Sequence, residues 1–277
     1  MSIDIPRNPE WEGRPLYGYD SVEVQADYTA RRADVVADFL LPHLKPGMSL
    51  LDCGCGPGSI TLGLAEAVLP GQTVGIDLEP TMIERAMVLA SENHVSNVEF
   101  RVADIYDLPF DEGRFDVVFS SSVLEHLAEP VRALGAMRRV LKPGGMTAII
   151  RTDWANPFIV PENESMSRFL ELFEDGFKRH GGSLNRGRHL STDLKEAGYE
   201  IVEFAARFGN NTDIESVKSV VAGYINWMEN LPLFGESIRL GLTTVTELES
   251  IKTGMKKWSR HPDAFFANAR TQVIGRK

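Results

Sequence analysis

Short apolar runs alternate with longer amphipathic stretches along this chain. The clearest unit begins at Leu50 and Leu51, continues through a glycine-rich turn and an amphipathic stretch, and ends in the apolar run Val74–Ile76 followed by Asp77. Short apolar runs bounded by turn residues are typical of buried parallel strands, so the unit predicts strand, turn, helix and strand. The glycine turn and Asp77 then lie side by side at the carboxyl ends of adjacent strands.

The same pattern predicts elements before and after this unit. Ser21–Leu41 has the spacing of a helix, with an apolar stripe that includes Phe39 and Leu40. Leu190–Gly198 is typical of a helix that ends at its glycine, and the strand Glu200–Arg207 follows it. A last strand is predicted at Phe265–Gly275.

The glycine turn indicates which kind of ligand binds at this edge. A dinucleotide fingerprint has the spacing G-x-G-x-x-G/A, whereas here the glycines are Gly54, Gly56 and Gly58, and position 59 is serine. Asp52 precedes them, and its charge would repel a pyrophosphate but suits the ammonium group of an amino-acid-bearing cofactor. Asp77 can accept hydrogen bonds from both hydroxyls of a ribose. The pattern favours a nucleoside cofactor other than a dinucleotide.

With Asp52, the three glycines and Asp77, the sequence resembles the class I S-adenosylmethionine-dependent methyltransferases, whose first motif is D/E-x-G-x-G-x-G. It is most similar to their ubiquinone/menaquinone-biosynthesis (type 11) branch. The resemblance continues in order through a third strand with its exit at Val98–Ile105, a fourth at Arg114–Ser122 and a fifth at Met146–Arg151. These motifs cover roughly residues 45 to 153.

The resemblance implies an α/β fold: a Rossmann-like, seven-stranded, mostly parallel sheet with an antiparallel last strand, helices on both faces and helical lid insertions. We expect an N-terminal helical cap over 1–44 and a methyltransferase domain over 45–277. The insertions should fall at about 154–189 and 212–262, where the first begins with a partly helical stretch from Trp154 to Asn185. Fifty residues between the last two strands exceed what a turn requires.

The resemblance also implies S-adenosyl-L-methionine as cofactor. In the family, an acid after the third strand binds the adenine amino group and the next backbone N–H binds a ring nitrogen; these roles fall on Asp104 and Ile105. Tyr28 belongs to a segment that in similar enzymes folds over the cofactor. The full set of expected cofactor-binding residues is Tyr28, Asp52, Gly54, Cys55, Gly56, Gly58, Asp77, Leu78, Asp104, Ile105 and Ser120.

The acceptor side is less constrained by sequence. Trp154, Tyr224, Trp227 and Phe234 are candidate substrate contacts beneath a lid, and the alternative is that these aromatic residues hold the insertions to the core. Methyl transfer needs a general base only if the nucleophile carries a proton, so a base can be absent. The candidate general bases are His126 and His180, and His189 and Asp153 are further candidates.

The composition of the chain limits the classes of molecule that it is expected to bind. A net charge of −10 and a pI near 5.2 disfavour long contacts with nucleic acid, and they favour a small substrate. Cys53 and Cys55 are the only cysteines and are too few for a zinc site, while a catechol-type metal site would need a second acid besides Asp153. We therefore expect no metal. No membrane span or signal peptide is apparent, which predicts a cytoplasmic protein.

The resulting hypothesis is methyl transfer from S-adenosylmethionine to a carbon, oxygen or nitrogen of a small, fairly apolar metabolite. Two alternatives stay open: a catalytically altered cofactor-binding protein, either a cyclase or a scaffold, and a nucleic-acid methyltransferase. Against the latter, the segment after the fourth strand is Ser120–Val123, without the Asn/Asp-Pro-Pro-aromatic motif of the amino-methylating DNA enzymes. A homo-oligomer could form through the N-terminal helix or the lid insertion.

Overall fold

A computed structural model describes residues 28–277 of the 277-residue chain. Within these residues, seven strands form one sheet, and each strand that the sequence predicts is present. β5, β6 and β7 are longer than predicted because β7 pairs with both β5 and β6 beyond the parallel part of the sheet. The strands are β1 Leu50–Cys53, β2 Thr73–Asp77, β3 Val98–Val102, β4 Phe115–Ser121, β5 Leu141–Val160, β6 Glu200–Asn211 and β7 Phe265–Arg276.

The sheet has the order β3-β2-β1-β4-β5-β7-β6. The strands β1 to β5 run parallel to one another, whereas β7 runs antiparallel to both β5 and β6. The predicted Rossmann-like sheet with an antiparallel last strand is confirmed. The strand order reverses between β1 and β4, and open α/β sheets bind ligands at this point, outside the carboxyl ends of the strands.

Helices flank the sheet and build the two insertions. Within residues 28–277, three short 3₁₀ turns lie between these elements, at Leu41–His43, Leu124–His126 and Arg186–His189. Within residues 28–277 the helices are α1 Ala33–Val36, α2 Ser59–Val68, α3 Pro80–Glu92, α4 Pro130–Val140, α5 Glu164–Arg179, α6 Leu190–Glu196, α7 Ile214–Asn230, α8 Pro232–Arg239 and α9 Val245–Trp258.

Both faces of the central strands are buried beneath helices. Leu50 packs in a cluster with residues of α1 and α2, whereas Leu51 packs in a cluster with residues of α4 and α6. Val117 and Val118 of β4 divide between the same two clusters. Because successive side chains of a strand point to opposite faces, burial on both faces produces the continuous apolar runs that predicted these strands.

The N-terminal helix differs from its prediction. The predicted helix Ser21–Leu41 lies partly outside the described residues. In its described part, residues 28–29 are helical, and non-helical backbone separates them from the four-residue α1 and α1 from the 3₁₀ turn at Leu41–His43. The chain leaves helical geometry at Ala37, and Phe39 and Leu40 then enter the core beside α2. A continuous helix is therefore wrong for this part, although the apolar stripe does supply core residues. The helical cap over 1–44 stays a prediction.

The first insertion is also only partly as predicted. Its opening residues are not helical, because β5 continues to Val160 and pairs with the start of β7 after a register shift between Asp153 and Phe158. Helix α5 follows, and the Asn163 side chain caps it by accepting a hydrogen bond from the Met166 amide at 3.0 Å. Extended pairing with β7 satisfies the backbone of residues 158–160 without helix formation.

The second insertion folds against the first. Helices α7, α8 and α9 share one buried cluster with α5, and Phe266 of β7 belongs to the same cluster. The rings of Phe169 and Tyr224 stack with their centroids 4.7 Å apart, and Trp154 meets Trp227 edge to face at 5.6 Å. Helices do occupy both predicted insertions, and their aromatic residues form a core of their own.

Two negative findings hold for residues 28–277. None of their helices combines the length and apolar character that crossing a bilayer requires. They also contain no group of three or more His, Cys, Asp or Glu side chains placed to hold a metal ion. Cys53 and Cys55 are buried free thiols that pack in two different clusters, as expected of small side chains filling tight space.

Candidate functional site

The glycine turn between β1 and α2 has left-handed backbone at Gly54, Gly56 and Gly58, with φ of 76°, 52° and 81°. Amides at Gly54 and Cys55 donate to the carbonyl of Ile76 at 2.8 and 2.9 Å, which fixes the turn beside β2. A Cβ built at Gly56 would meet nothing within 4 Å. Its absence leaves bare backbone facing open space, which is what a closely approaching ligand requires.

Asp77 ends β2 directly opposite this turn. Its Oδ2 accepts a hydrogen bond from the Gly56 amide at 2.9 Å, and its Oδ1 accepts one from the Glu79 amide at 3.0 Å. Burial raises the pKa of Asp77, and the two backbone amides oppose that increase. These bonds set the orientation of the carboxylate while each oxygen keeps a lone pair for a further donor.

A cavity of about 200 Å³ lies at the carboxyl ends of β1 to β4. All but two of the expected cofactor-binding residues line it, so strands far apart in sequence bring them to one place. They are Tyr28, Asp52, Gly54, Cys55, Gly56, Asp77, Leu78, Asp104 and Ile105.

The remaining two residues, Gly58 and Ser120, do not line the cavity. A Cβ at Gly58 would lie 2.9 Å from both Ala86 and Phe100, so this glycine allows α3 and β3 to pack closely behind the turn. The hydroxyl of Ser120 is buried and donates to the Cys53 carbonyl at 2.8 Å, joining β4 to β1. Both residues support the neighbouring backbone from behind the cavity wall, and direct contact between either of them and the cofactor stays a prediction.

Asp52 is a buried acid in the cavity wall. Its Oδ2 accepts a hydrogen bond from the Thr61 hydroxyl at 2.6 Å. Burial raises the pKa of Asp52 to about 7; the Thr61 hydrogen bond lowers it, and the charge of Asp77 raises it further. A cationic group bound nearby would favour the ionised form, as the argument from the cofactor's ammonium group requires.

Of the two predicted histidines, His126 lines the cavity. Burial and the neighbouring charge of Arg151 lower the pKa of His126 to about 3. Its imidazole is therefore neutral at pH 7, and so low a pKa makes it a weak proton acceptor there. The turn that carries His126 is fixed by an ion pair between the buried side chains of Glu125 and Arg151.

His180 is outside the cavity. Its Nε2 lies 3.1 Å from Oε2 of Glu236, and Arg179 donates to the Ser237 hydroxyl at 2.8 Å, so this buried polar group joins α5 to α8. This position gives no support to a catalytic role for His180, which stays a prediction. Asp153, another candidate, pairs with Arg188 at 2.8 Å and is also outside the cavity wall.

The four predicted substrate contacts also lie elsewhere. Tyr224 and Phe234 are buried in the insertion core, and Trp154 and Trp227 pack against it. None of these residues lines the cavity. The alternative interpretation, in which these aromatic side chains hold the insertions to the rest of the fold, agrees with the structure because their apolar area is removed from water by one another.

Several cavity residues escaped the sequence analysis. The wall at the end of β4 and in the turn after it is formed by Ser121, Ser122, Val123 and Leu127. Arg31 lines the cavity near Tyr28. Ser122 has left-handed backbone with φ of 56°, which no sequence pattern marks. Arg31 carries a weak signal, since it follows Tyr28 by three residues and a residue one helical turn away shares a face.

The cavity suits the cofactor that the motifs imply. Bare backbone at Gly56 admits close approach, the Asp77 carboxylate can accept from ribose hydroxyls, and Asp104 and Ile105 lie at the exit of β3 where adenine recognition is expected. Asp52 supplies a negative charge for an ammonium group. These residues would therefore hold S-adenosylmethionine.

Comparison with known proteins agrees with this assignment. A family model described as a methyltransferase domain matches residues 44–206. The probable methyltransferase ltbC of Aspergillus luteorubrus is 29% identical, with 94% of this chain and 96% of that protein covered. The O-methyltransferase resE of Aspergillus sclerotiorum is 30% identical, with 74% of this chain and 72% of that protein covered.

A solved structure, that of the cyclase SpnF, resembles this chain in fold. The TM-score is 0.55 at 21% identity, and the similarity covers 88% of this chain and 80% of that one. At this identity the comparison bears on the fold alone. It supports the sheet topology described above.

Substitution of Gly56 tests whether the open space above it receives the cofactor. Gly144 is a matched control, because it too has a positive φ, of 76°, and open space around its Cβ position, but it is outside the cavity wall. Changing either to alanine should cost about 1–2 kcal/mol of stability through left-handed backbone. Only Gly56→Ala should also weaken S-adenosylhomocysteine binding, by about ten-fold or more in calorimetric titration. Equal affinities for the two variants would contradict the assignment.

The pKa of Asp52 predicts a pH dependence of cofactor binding. Ligand that carries an ammonium group favours ionised Asp52, so binding to the free protein releases a proton below pH 7. S-adenosylhomocysteine affinity should therefore rise by up to about ten-fold per pH unit below that value and level off above it. The raised pKa has the opposite effect on the free protein, which loses stability as pH rises through this range. Asp52→Asn should flatten the binding profile, and a flat wild-type profile would refute the role.

Proposed function

The chain belongs to the methyltransferase-domain family and is a class I S-adenosylmethionine-dependent methyltransferase, and from this premise we propose that its acceptor is a small, fairly apolar metabolite. The observation that carries the proposal is the composition of one cavity. Its side at β1 to β3 is lined by the expected cofactor residues, while its side at β4 and the turn after it is lined by Phe119, Val123 and Leu127. Apolar walls with a few polar groups are typical of small-molecule sites.

The charge of the protein supports a small acceptor over a nucleic acid. A net charge of −10 opposes the phosphate contacts that dominate nucleic-acid binding. The relative resE is named an O-methyltransferase, and that name describes the reaction of resE itself. We keep oxygen, nitrogen and carbon as possible acceptor atoms. A cytoplasmic location and a homo-oligomer also stay predictions.

In the proposed reaction the bound cofactor supplies a strongly electrophilic methyl carbon on a sulfonium. The protein then has to align the acceptor and keep water away from the reacting atoms. We assign alignment to the wall after β4, where Ser121 and Ser122 offer hydroxyl groups beside the apolar side chains. His126 contributes a neutral ring that can donate or accept one hydrogen bond.

No histidine in the described residues is proposed as a strong general base. The low pKa of His126 makes proton removal by this ring inefficient near neutral pH, and His180 lies outside the cavity. An acceptor that is already deprotonated, or a lone-pair nucleophile, fits such a site. The rate should then follow the ionisation of the acceptor itself.

Incubation of the protein with methyl-labelled S-adenosylmethionine and a panel of small phenols, carboxylic acids and amines tests the proposal. We expect S-adenosylhomocysteine and labelled small-molecule product in equal amounts. Arg32→Met is a suitable control variant, because the exposed Arg32 guanidinium pairs with Asp34 outside the cavity. A parallel incubation contains nucleic acid as the acceptor, and label that enters only nucleic acid would contradict the proposal. Acceptor rearrangement without label transfer would instead identify a cyclase.

A further inference from the structure

Strand β6 forms one edge of the sheet, and its side chains are open to solvent along the whole strand. Within residues 28–277, β7 is the only strand that pairs with it. Each of its twelve residues is exposed or half-buried, whereas most residues of β7 are buried. An edge strand presents unpaired backbone N–H and C=O groups, and these groups are a template for pairing with a further strand.

Large apolar side chains are exposed on one face of this edge. Phe204 and Phe208 lie four residues apart in a stretch without a register shift, so they share a face of the sheet. They are 46% and 50% exposed. The ring of Phe208 also contacts that of Phe158 in β5, with the centroids 5.4 Å apart, and Phe158 is 53% exposed. Contiguous exposed apolar surface of this kind is typical of an interaction site.

Two opposite charges lie on the other face of the same stretch. Glu203 and Arg207 are four residues apart, and both side chains are exposed. Glu203 contacts the His43 ring and Arg207 pairs with Asp38, and these exposed contacts leave both charges open to a further partner. The stretch from 203 to 211 contains neither lysine nor proline, two residues that commonly protect an edge strand from pairing. It therefore keeps the backbone groups that pairing requires.

A second copy of β6 complements the charges of the first. When two copies run antiparallel about a two-fold axis at Ala205, position 203 of one strand lies opposite position 207 of the other. Glu203 then faces Arg207 of the second copy, and the symmetry repeats this pair on the other side of the axis. Phe204 lies diagonal to Phe208 of the second copy, at about 7–8 Å, which aromatic side chains can span.

Neighbouring registers lose this complementarity. An axis at Glu203 places two glutamates opposite each other, and an axis at Arg207 places two arginines there, which is destabilising. An axis at Ala206 places Arg207 opposite Ala205 and Glu203 opposite Gly209, so neither charge faces an opposite one. Charge complementarity therefore favours the axis at Ala205.

We propose that this protein forms a symmetric dimer in which the β6 strands of two copies pair antiparallel about Ala205. The pairing joins two seven-stranded sheets into one continuous sheet. It places the expected homo-oligomer contact at β6 instead of the N-terminal helix or the lid insertion. Strands β5 and β7 separate β6 from the cavity at β1 to β4, so each copy keeps its own site.

Sedimentation equilibrium of the full chain measures the dimer directly. We expect twice the mass of the 30.8 kDa chain at micromolar concentrations. Glu203→Arg and Arg207→Glu each place like charges opposite each other, so each should raise the dimer dissociation constant about ten-fold or more. An equimolar mixture of the two variants should dimerise like the wild type, because every facing pair is again of opposite charge.

Glu99→Arg is the matched control for charge reversal. Glu99 is an exposed glutamate in an ion pair with Arg101, and it lies on β3, at the opposite edge of the sheet. This variant should have the dissociation constant of the wild type. Melting temperatures establish that each variant is folded.

Ala205→Cys tests the register, because position 205 lies opposite itself at the axis. Directly opposed residues of antiparallel strands have Cα atoms about 4.5–5.5 Å apart, within the range of a disulfide. With oxidised glutathione as the oxidant, we expect a disulfide-linked dimer on a non-reducing gel. Glu200→Cys is the control and should not cross-link, because the two copies of position 200 would be about 33 Å apart. The native Cys53 and Cys55 are buried.

A monomeric wild type would overturn the dimer and would leave residues 1–27 or a different protein as the occupant of the edge. A dimer that both charge reversals leave unchanged would place the contact on another surface and would also overturn the proposal. A dimeric wild type without the Ala205→Cys cross-link would contradict the register. None of these results bears on S-adenosylhomocysteine binding, so the dimer can fail while the proposed function stands.

Discussion

The hydrogen bond from the Gly56 amide to the Asp77 carboxylate joins the ends of two parallel strands, and the rest of the site depends on it. Parallel strands bring their carboxyl ends to one edge, but an edge alone is not a binding site. The left-handed turn after β1 bends the chain away and leaves backbone exposed, and Asp77 fixes that backbone. Asp104 and the wall after β4 then surround a cavity with polar groups in set positions.

How much of this can be predicted from sequence depends on the range of the interactions involved. The strand pattern, the glycine turn and Asp77 are local signals. They predicted the strands correctly, and most of the expected cofactor-binding residues line the cavity. Gly58 belongs to the glycine motif and Ser120 ends the predicted fourth strand, but their surroundings come from α3, β3 and β1, so sequence could not separate support from contact. The insertion aromatics illustrate the same limit, because Tyr224 finds its partner Phe169 in a different insertion.

The insertions act on the site indirectly. Backbone around the end of α5 holds the turn that carries His126, since the Ser183 amide donates to the Glu125 carbonyl at 2.8 Å and Arg151 donates to the Ser183 carbonyl at 3.0 Å. The buried ion pair of Glu125 and Arg151 completes this link. The ion pair therefore fixes the turn after β4 that forms part of the cavity wall. The aromatic core of the insertions packs next to this turn through the end of α5.

The most direct test of the central claim is calorimetric titration of Asp77→Ala with S-adenosylhomocysteine. Loss of a charged acceptor for the ribose hydroxyls should cost about 1.5–3 kcal/mol of binding free energy, and loss of the bond to Gly56 should add to the effect. Asp111→Ala, at an exposed acid outside the cavity, is the control and should bind like the wild type. An unchanged dissociation constant for folded Asp77→Ala would contradict the account.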